Sequence, residues 1–218
     1  KYGTADLYLL PDDKRLRLEY YKNNIIHHFV SLSFLATIIL GCSETLIFLR
    51  LVREDYIFLK RLFSQEFMMG DDHDGELAEA LAYLRSLGML KEDKEAGSLK
   101  LGEGAQERLL PFAGLIRSYL ESYLVAFKAC SQVNNELERE KDQLDYIRIW
   151  AKKMYARGEI SRAESMSGAT YANALKFLWG EAIISRDSSR AEEKGEGIGA
   201  VIDKDRLSTL QSRLARFL

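Results

Sequence analysis

Proline is scarce in this sequence, with two in 218 residues, so little in it interrupts long helices. Cysteine is scarce too: Cys42 and Cys130 stand far apart in apolar surroundings, which argues against a disulfide-rich scaffold and favours a reducing compartment. Neither sign of charge is in excess, because the net charge is −2 and the charges are interspersed. The sequence therefore lacks the basic bias that a nucleic-acid-binding protein usually shows.

Catalytic signatures are missing as well. The sequence contains no Gly-x-Ser-x-Gly, no phosphate-binding P-loop, no glycine-rich dinucleotide motif, no His-Glu-x-x-His and no Cys-x-x-Cys. Motifs alone therefore assign no catalytic residue, no cofactor and no metal ion to this chain.

Hydrophobic periodicity predicts a mainly α fold: a helical bundle with short β-hairpins. Alternation at residues 5–10 and 14–18 predicts one hairpin before the first helix. The predicted helices occupy about residues 20–40, 43–70, 76–87, 104–138, 144–158 and 205–218, with short helices at 161–166 and 170–179.

A helix followed by a two-stranded ribbon is predicted twice, near residues 76–101 and 170–202. This order is that of a winged-helix unit, so the chain is expected to hold two winged-helix-like units. We expect one helical domain over residues 1–218, with possible sub-units at 1–140 and 141–218. The first residue is lysine, which fits a chain cut from a longer protein and fits disorder or tag removal equally well.

A cluster of polar residues opens the predicted helix at 20–40 and leads into an apolar run. Its members are Tyr20, Asn23, Asn24, His27 and His28. They share two adjacent helical stripes. They form a polar binding face, a contact to another domain or a buried hydrogen-bonded network. We favour the buried network, since buried polar groups normally pair within the fold.

The same helix has no charged residue between Asn23 and Ser43, which approaches the length of about 20 residues that a spanning helix needs. Its polar first turns favour a buried or interfacial helix over a spanning one.

The acidic loop at residues 71–76 suggests a metal site or a helix cap. Its spacing does not match a calcium-binding loop, and Asp74 is well placed to cap the next helix, so we favour the cap.

Winged-helix units bind DNA or dock proteins, and the first predicted unit is acidic. Its carboxylates would repel phosphate groups, so no nucleic-acid partner is expected. They are Glu76, Glu79, Glu92, Asp93 and Glu95.

Four segments, in order, resemble the C-terminal region of the membrane-associated glycerol-3-phosphate and dihydroxyacetone-phosphate acyltransferases of bacteria and mitochondria. The first is the run at residues 16–29 (LRLEYYKNNIIHHF), and the second is LKRLFSQEF at 59–67. The third joins Leu-Pro-Phe at 110–112 to YLESY at 119–123, and the fourth is GEISRAESMS at 158–167 with Asn-Ala-Leu at 173–175.

The resemblance implies acyl transfer from acyl-CoA or acyl carrier protein to the sn-1 hydroxyl of glycerol 3-phosphate. In that family a histidine with an aspartate five residues on removes the hydroxyl proton. Five residues after this chain's histidines stand Leu32, Ser33 and Ala78, and the family's arginine-bearing phosphate motifs are absent too. The chain alone is therefore expected to be inactive, although its parent protein would be an enzyme.

As partners, the resemblance implies the parent's own acyltransferase domain and the membrane surface, with acyl-CoA or acyl carrier protein reached through the parent enzyme. The implied location is peripheral, on the cytoplasmic face of a membrane, as at a bacterial inner membrane. The alternative reading of the sequence is a stand-alone winged-helix-like module for protein interaction or regulation.

Overall fold

The computed structural model describes residues 12–42, 46–93, 95–133, 140–186 and 198–218. This part of the chain is mainly α-helical with short antiparallel strands, so the predicted fold class is confirmed. The helices are α1 (Asp12–Ile25), α2 (Val30–Leu40), α3 (Leu49–Leu62), α4 (His73–Ser86), α5 (Ala105–Ser131), α6 (Glu140–Ala156), α7 (Gly168–Gly180) and α8 (Lys204–Arg216). The strands are β1 (Ile47–Phe48), β2 (Leu90–Asp93), β3 (Ser98–Leu101), β4 (Ile184–Arg186) and β5 (Ile198–Val201), and 3₁₀ turns span Ile26–His28 and Ala163–Ser165.

The first winged-helix-like unit runs from α2 to β3. Its three strands are antiparallel in the order β1-β3-β2, with Ile47 opposite Leu99 and Leu90 opposite Leu101. The sheet is thus completed by a short strand that precedes the two middle helices, which is the winged-helix arrangement.

The second unit repeats local backbone details of the first. Gly88, after α4, and Ala182, after α7, both have positive φ, at 69° and 54°. The amide that follows each one donates back to the helix end, from Met89 to Leu84 and from Ile183 to Leu178. The repeat is hard to see in the sequence because one copy has glycine at this position and the other has alanine.

Helix α5 lies at the centre of the fold. It packs against α2 on one side and against α6, α7 and α8 on the other. Its apolar residues face several directions, and those from Leu120 to Phe127 are buried. The core is therefore shared between the two units, since both bury their apolar faces on this helix.

The predicted hairpin before the first helix is wrong over residues 14–18, which lie inside α1. The alternation there was short, and its Lys, Arg and Leu residues are good helix formers. Asp12 and Asp13 stand in the first turn, where acids favour a helix start. The other predicted strand, residues 5–10, lies outside the described residues.

The predicted continuous helix at residues 20–40 is also wrong. It breaks at Phe29, and the helical segments on either side are bent by 86°. Helix α2 enters the core, with Phe34, Leu35 and Ala36 fully buried. The chain changes direction where its sequence changes from polar to apolar, so only the apolar part is covered by neighbours.

The expected burial of the polar cluster is wrong for four of its members: Asn23, Asn24, His27 and His28 are exposed. The side chain of Tyr20 lies outside the described part. The bend at Phe29 explains the difference, because it leaves these turns in solvent when α2 enters the core.

No single helix in the described part of the chain is long and apolar enough to cross a bilayer. The segments 21–28 and 30–40 reach the necessary length and composition only when they are taken together.

We expect Asn24→Ala and His28→Ala to change the free energy of unfolding by less than about 0.5 kcal/mol, because exposed side chains contribute little. Phe34→Ala, in the same stretch, should cost about 3–5 kcal/mol, because it removes a fully buried ring. Denaturant unfolding of the three variants measures this contrast. A large loss of stability in either polar variant would contradict the exposed arrangement.

Candidate functional site

The described side chains of the polar cluster predicted from the sequence have different surroundings. Asn23 accepts a hydrogen bond from the Tyr119 hydroxyl at 3.0 Å, which ties α1 to α5. The His27 and His28 rings lie side by side, with centroids 3.8 Å apart, and both are exposed. Asn23 therefore attaches α1 to α5, and the two histidines form part of an exposed polar surface.

The acidic loop serves as a helix cap, but the capping residue is Asp72. Its Oδ1 accepts a hydrogen bond from the Gly75 amide at 2.8 Å, so the prediction that Asp74 would cap is wrong. Asp74 instead pairs with Arg53 at 2.6 Å. Among the described residues, no group of acids, histidines or cysteines is arranged to hold a metal ion.

Polar contacts join the four segments of the resemblance to one stretch of α5. From the first segment, the Lys22 ammonium donates to the Leu115 carbonyl at 2.9 Å. From the second, Glu66 accepts from the Tyr123 hydroxyl at 3.3 Å. The fourth is attached through Glu121, so three segments that are distant in sequence meet on α5, the helix that carries the third.

Glu121 is fully buried and accepts hydrogen bonds from four sources in addition to its neighbour on the helix. The donors are the Ser161 amide and hydroxyl (3.0 and 2.8 Å), the Arg162 amide (2.9 Å), the Ser165 hydroxyl (2.6 Å) and Arg117 Nε (3.1 Å). Burial by itself raises the pKa of this carboxyl, but the hydrogen bonds from Ser165, Ser161 and Arg162 together outweigh it and lower the pKa. Glu121 thus holds the segment at 161–165 against α5 as a charged carboxylate.

A cavity of about 470 Å³ lies beside this network. Its walls come from the end of α2, the first half of α5, residues 161–162 and the end of the chain at 216–218. Gly41 allows α2 and the chain end to approach closely, because a Cβ there would lie 2.8 Å from the Arg216 carbonyl oxygen. The volume is within the range of small-molecule pockets, roughly 300–1,000 Å³.

Three arginines line the cavity, and no acidic side chain does. Arg117 donates to Glu121, to Ser161 and to the backbone oxygen of Leu218 at 3.0 Å. Arg216 pairs with Asp55, which also accepts from Arg213.

The Arg162 guanidinium is engaged differently. It forms no hydrogen bond or ion pair with another side chain in the described part of the chain, and it lies over Gly114, where a Cβ would be 3.7 Å from Nη2. The Arg162 backbone is nevertheless fixed, because its amide is bound to Glu121. The cavity wall therefore contains a guanidinium that is not paired with a described side chain and whose backbone is held in place by Glu121.

A comparison with family models identifies what these segments have in common. The family described as the glycerol-3-phosphate acyltransferase C-terminal region matches residues 1–187. The chain belongs to this family. A search of curated proteins found no match.

The four segments that join at α5 all lie within the matched part of this acyltransferase C-terminal region. Three walls of the cavity, the end of α2, the first half of α5 and residues 161–162, lie there too, whereas the wall at 216–218 is outside the matched range.

Sequence reasoning about this acyltransferase C-terminal region missed its cavity. Glu121 and Arg162 both lay in segments that carried the resemblance, but their pairing spans 41 residues and leaves no periodic signal. The available signal was local: Arg117 and Glu121 are four residues apart on one helix face, which is the spacing of an ion pair.

Proposed function

We propose that this chain is the non-catalytic C-terminal part of an enzyme that acylates the sn-1 hydroxyl of glycerol 3-phosphate in phospholipid biosynthesis. The observation that carries the proposal is the family match over residues 1–187. It is supported by the sequence itself, since none of the histidines has an aspartate five residues on. The proton acceptor for acyl transfer, and the contact with acyl-CoA or acyl carrier protein, would then belong to the acyltransferase domain.

The proposed role of the chain is to pack against that acyltransferase domain. One surface suits this role: α1 exposes three large apolar side chains at spacings of three and four residues, Leu18, Tyr21 and Ile25. Such a spacing places them on one helical face. Helix α1 is held to α5 by Lys22 and Asn23, so the three apolar side chains lie on a helix whose position is fixed.

The proposed location is the cytoplasmic surface of a membrane, such as the bacterial inner membrane, with peripheral attachment. The chemistry of the reaction supports it, because an acylated glycerol phosphate is an amphiphile that partitions into a bilayer.

A second candidate is a winged-helix-like module for protein interaction or regulation, which the two helix-and-ribbon units favour. Nucleic acid is not proposed as its partner. The first ribbon carries Glu92, Asp93 and Glu95, and these acids oppose the binding of phosphate groups.

The test is reconstitution with the acyltransferase domain expected upstream in the same reading frame. We expect the chain alone to release no CoA from acyl-CoA in the presence of glycerol 3-phosphate, and the two parts together to do so. Leu18→Asp with Ile25→Asp should abolish co-purification with that domain, because a charge would enter an apolar contact. The control is Ile149→Asp, an equally exposed apolar position on α6.

Three results would contradict the proposal. One is glycerol-3-phosphate-dependent CoA release by the chain alone, and another is an upstream frame that has no acyltransferase domain. The third concerns docking: undiminished co-purification of the doubly substituted chain would show that α1 does not provide the contact. All variants should keep the melting temperature of the unsubstituted chain, since the changed side chains are exposed.

A further inference from the structure

The cavity beside Glu121 combines positive charge with apolar walls. Three guanidiniums line it, those of Arg117, Arg162 and Arg216, and Arg213 shares the Asp55 carboxylate with Arg216. Against these four stand the side-chain carboxylates of Asp55 and Glu121, so the side chains of this network carry an excess of positive charge. The carboxylates are bound to Arg117, Arg213 and Arg216. Of these four guanidiniums, that of Arg162 is the one without a carboxylate partner among the described residues, so it is available to an anion in the cavity.

The other walls of the cavity are apolar. Leu40, Leu110, Leu120 and Phe217 line it, and Leu110 is 57% exposed although it is a large apolar side chain. A hydrocarbon chain on this surface would remove Leu110 and the half-buried Leu40 from water, which favours binding in proportion to the apolar area covered.

A second polar group in the wall also lacks a protein partner. Thr37 is buried, and its Oγ1 makes no hydrogen bond with any described residue. Buried hydroxyls are normally paired, so an unpaired one in the wall of a cavity indicates that a ligand or water completes its bonding. Its hydroxyl is therefore a second polar position in the cavity wall, besides the Arg162 guanidinium.

We propose that this cavity binds a phosphate monoester that carries an acyl chain, with the phosphate at Arg162 and the chain along Leu40, Leu110 and Phe217. A guanidinium binds phosphate through two parallel N–H donors, and Arg162 has such a pair available. The choice of a phosphate over another anionic headgroup rests on the proposed function, because acylation of glycerol 3-phosphate leaves its phosphate monoester intact. The presence of an anionic amphiphile site rests on the geometry alone.

The test is a calorimetric titration of the 218-residue chain with monomeric 1-acyl-glycerol 3-phosphate. We expect Arg162→Gln to weaken binding by about tenfold to a hundredfold, which is the range for loss of a charge-assisted hydrogen bond. Arg157→Gln is the matched control, since Arg157 lies five residues away, is exposed and does not line the cavity. It should bind like the unsubstituted chain.

Further titrations separate the headgroup from the hydrocarbon chain. Leu110→Gln should weaken binding of the acylated ligand about threefold to tenfold and leave the weaker binding of glycerol 3-phosphate unchanged, because only the chain contacts Leu110. A free fatty acid and a zwitterionic acyl glycerophosphocholine of the same chain length should bind at least tenfold more weakly than the phosphate monoester.

Several outcomes would overturn the proposal. These are no binding of 1-acyl-glycerol 3-phosphate, equal binding by the zwitterionic lipid, and equal affinity of the chain and Arg162→Gln. Equal binding of the fatty acid would overturn the phosphate assignment alone. If the chain docks to the acyltransferase domain but does not bind the lipid, this site is rejected and the proposed function stands. If the chain binds the lipid but does not dock, the docking role is rejected.

Discussion

Replacing Glu121 with glutamine should lower the free energy of unfolding by about 3–5 kcal/mol. The side chain is fully buried, and its two oxygens accept from two backbone amides, two hydroxyls and Arg117. Glutamine has nearly the same shape, so no cavity forms. Its NH₂ group would, however, replace one of the two oxygens, so the backbone amide that this oxygen accepts from, Ser161 or Arg162, would lose its acceptor.

The matched control is Glu107→Gln, which removes an exposed carboxylate from the first turn of the same helix. It should cost less than about 1 kcal/mol, the usual contribution of an acid to the helix dipole. Denaturant unfolding of both variants gives the comparison. Equal losses would show that Glu121 is not the attachment of the segment at 161–165.

The pH dependence gives a second measurement of the same contact. The folded-state pKa of Glu121 lies below its unfolded value of about 4.3, so its stabilising contribution is present above that value. The contribution is lost as the pH falls through the folded pKa, where the carboxylate takes up a proton. The difference in stability between the unsubstituted chain and Glu121→Gln should therefore shrink below about pH 4.

Asp55→Asn should lower the free energy of unfolding by about 2–3 kcal/mol and loosen α8. The Asp55 carboxylate is 8% exposed and accepts from Arg213 at 2.7 Å and from Arg216, more than 150 residues further along the chain. The side chains of Arg213 and Arg216 are 32% and 48% exposed. Water can therefore replace part of the hydrogen bonding that their guanidiniums lose in the variant.

The neighbouring Glu54 offers a close control, because Glu54→Gln removes the same charge from an exposed pair with Arg50. That variant should lose less than about 0.5 kcal/mol, as exposed pairs at this spacing contribute little. Amide hydrogen exchange over residues 204–216 should accelerate in Asp55→Asn only. Unchanged exchange there would mean that α8 is held by its apolar face alone.

Much of the fold could be predicted from the sequence, because most of it follows from local periodicity. The sequence predicts α4, α5, α7 and both ribbons, since apolar spacing and the glycine that follows α4 are short-range signals. The bend at Phe29 could not be found in this way, because it depends on how α2 is covered by α5.

The contacts of the site were harder to predict, for a related reason. Asp72 and Asp74 are two positions apart, and either could cap the helix as far as the sequence shows. Only the backbone geometry decides that Asp72 is the cap. Glu121 and Arg162 were visible as parts of separate segments. Their hydrogen bond is a tertiary contact with no counterpart in the composition or spacing of either segment.

The central position of α5 also has a consequence for how the molecule folds. The α2 helix on its N-terminal side and α7 and α8 on its C-terminal side all complete their cores on this one element. If α5 unfolds or detaches, the apolar surfaces of both groups of helices are therefore exposed to water. The most protected amides of α2 and α7 should consequently exchange through the same global opening, as parts of one cooperative folding unit.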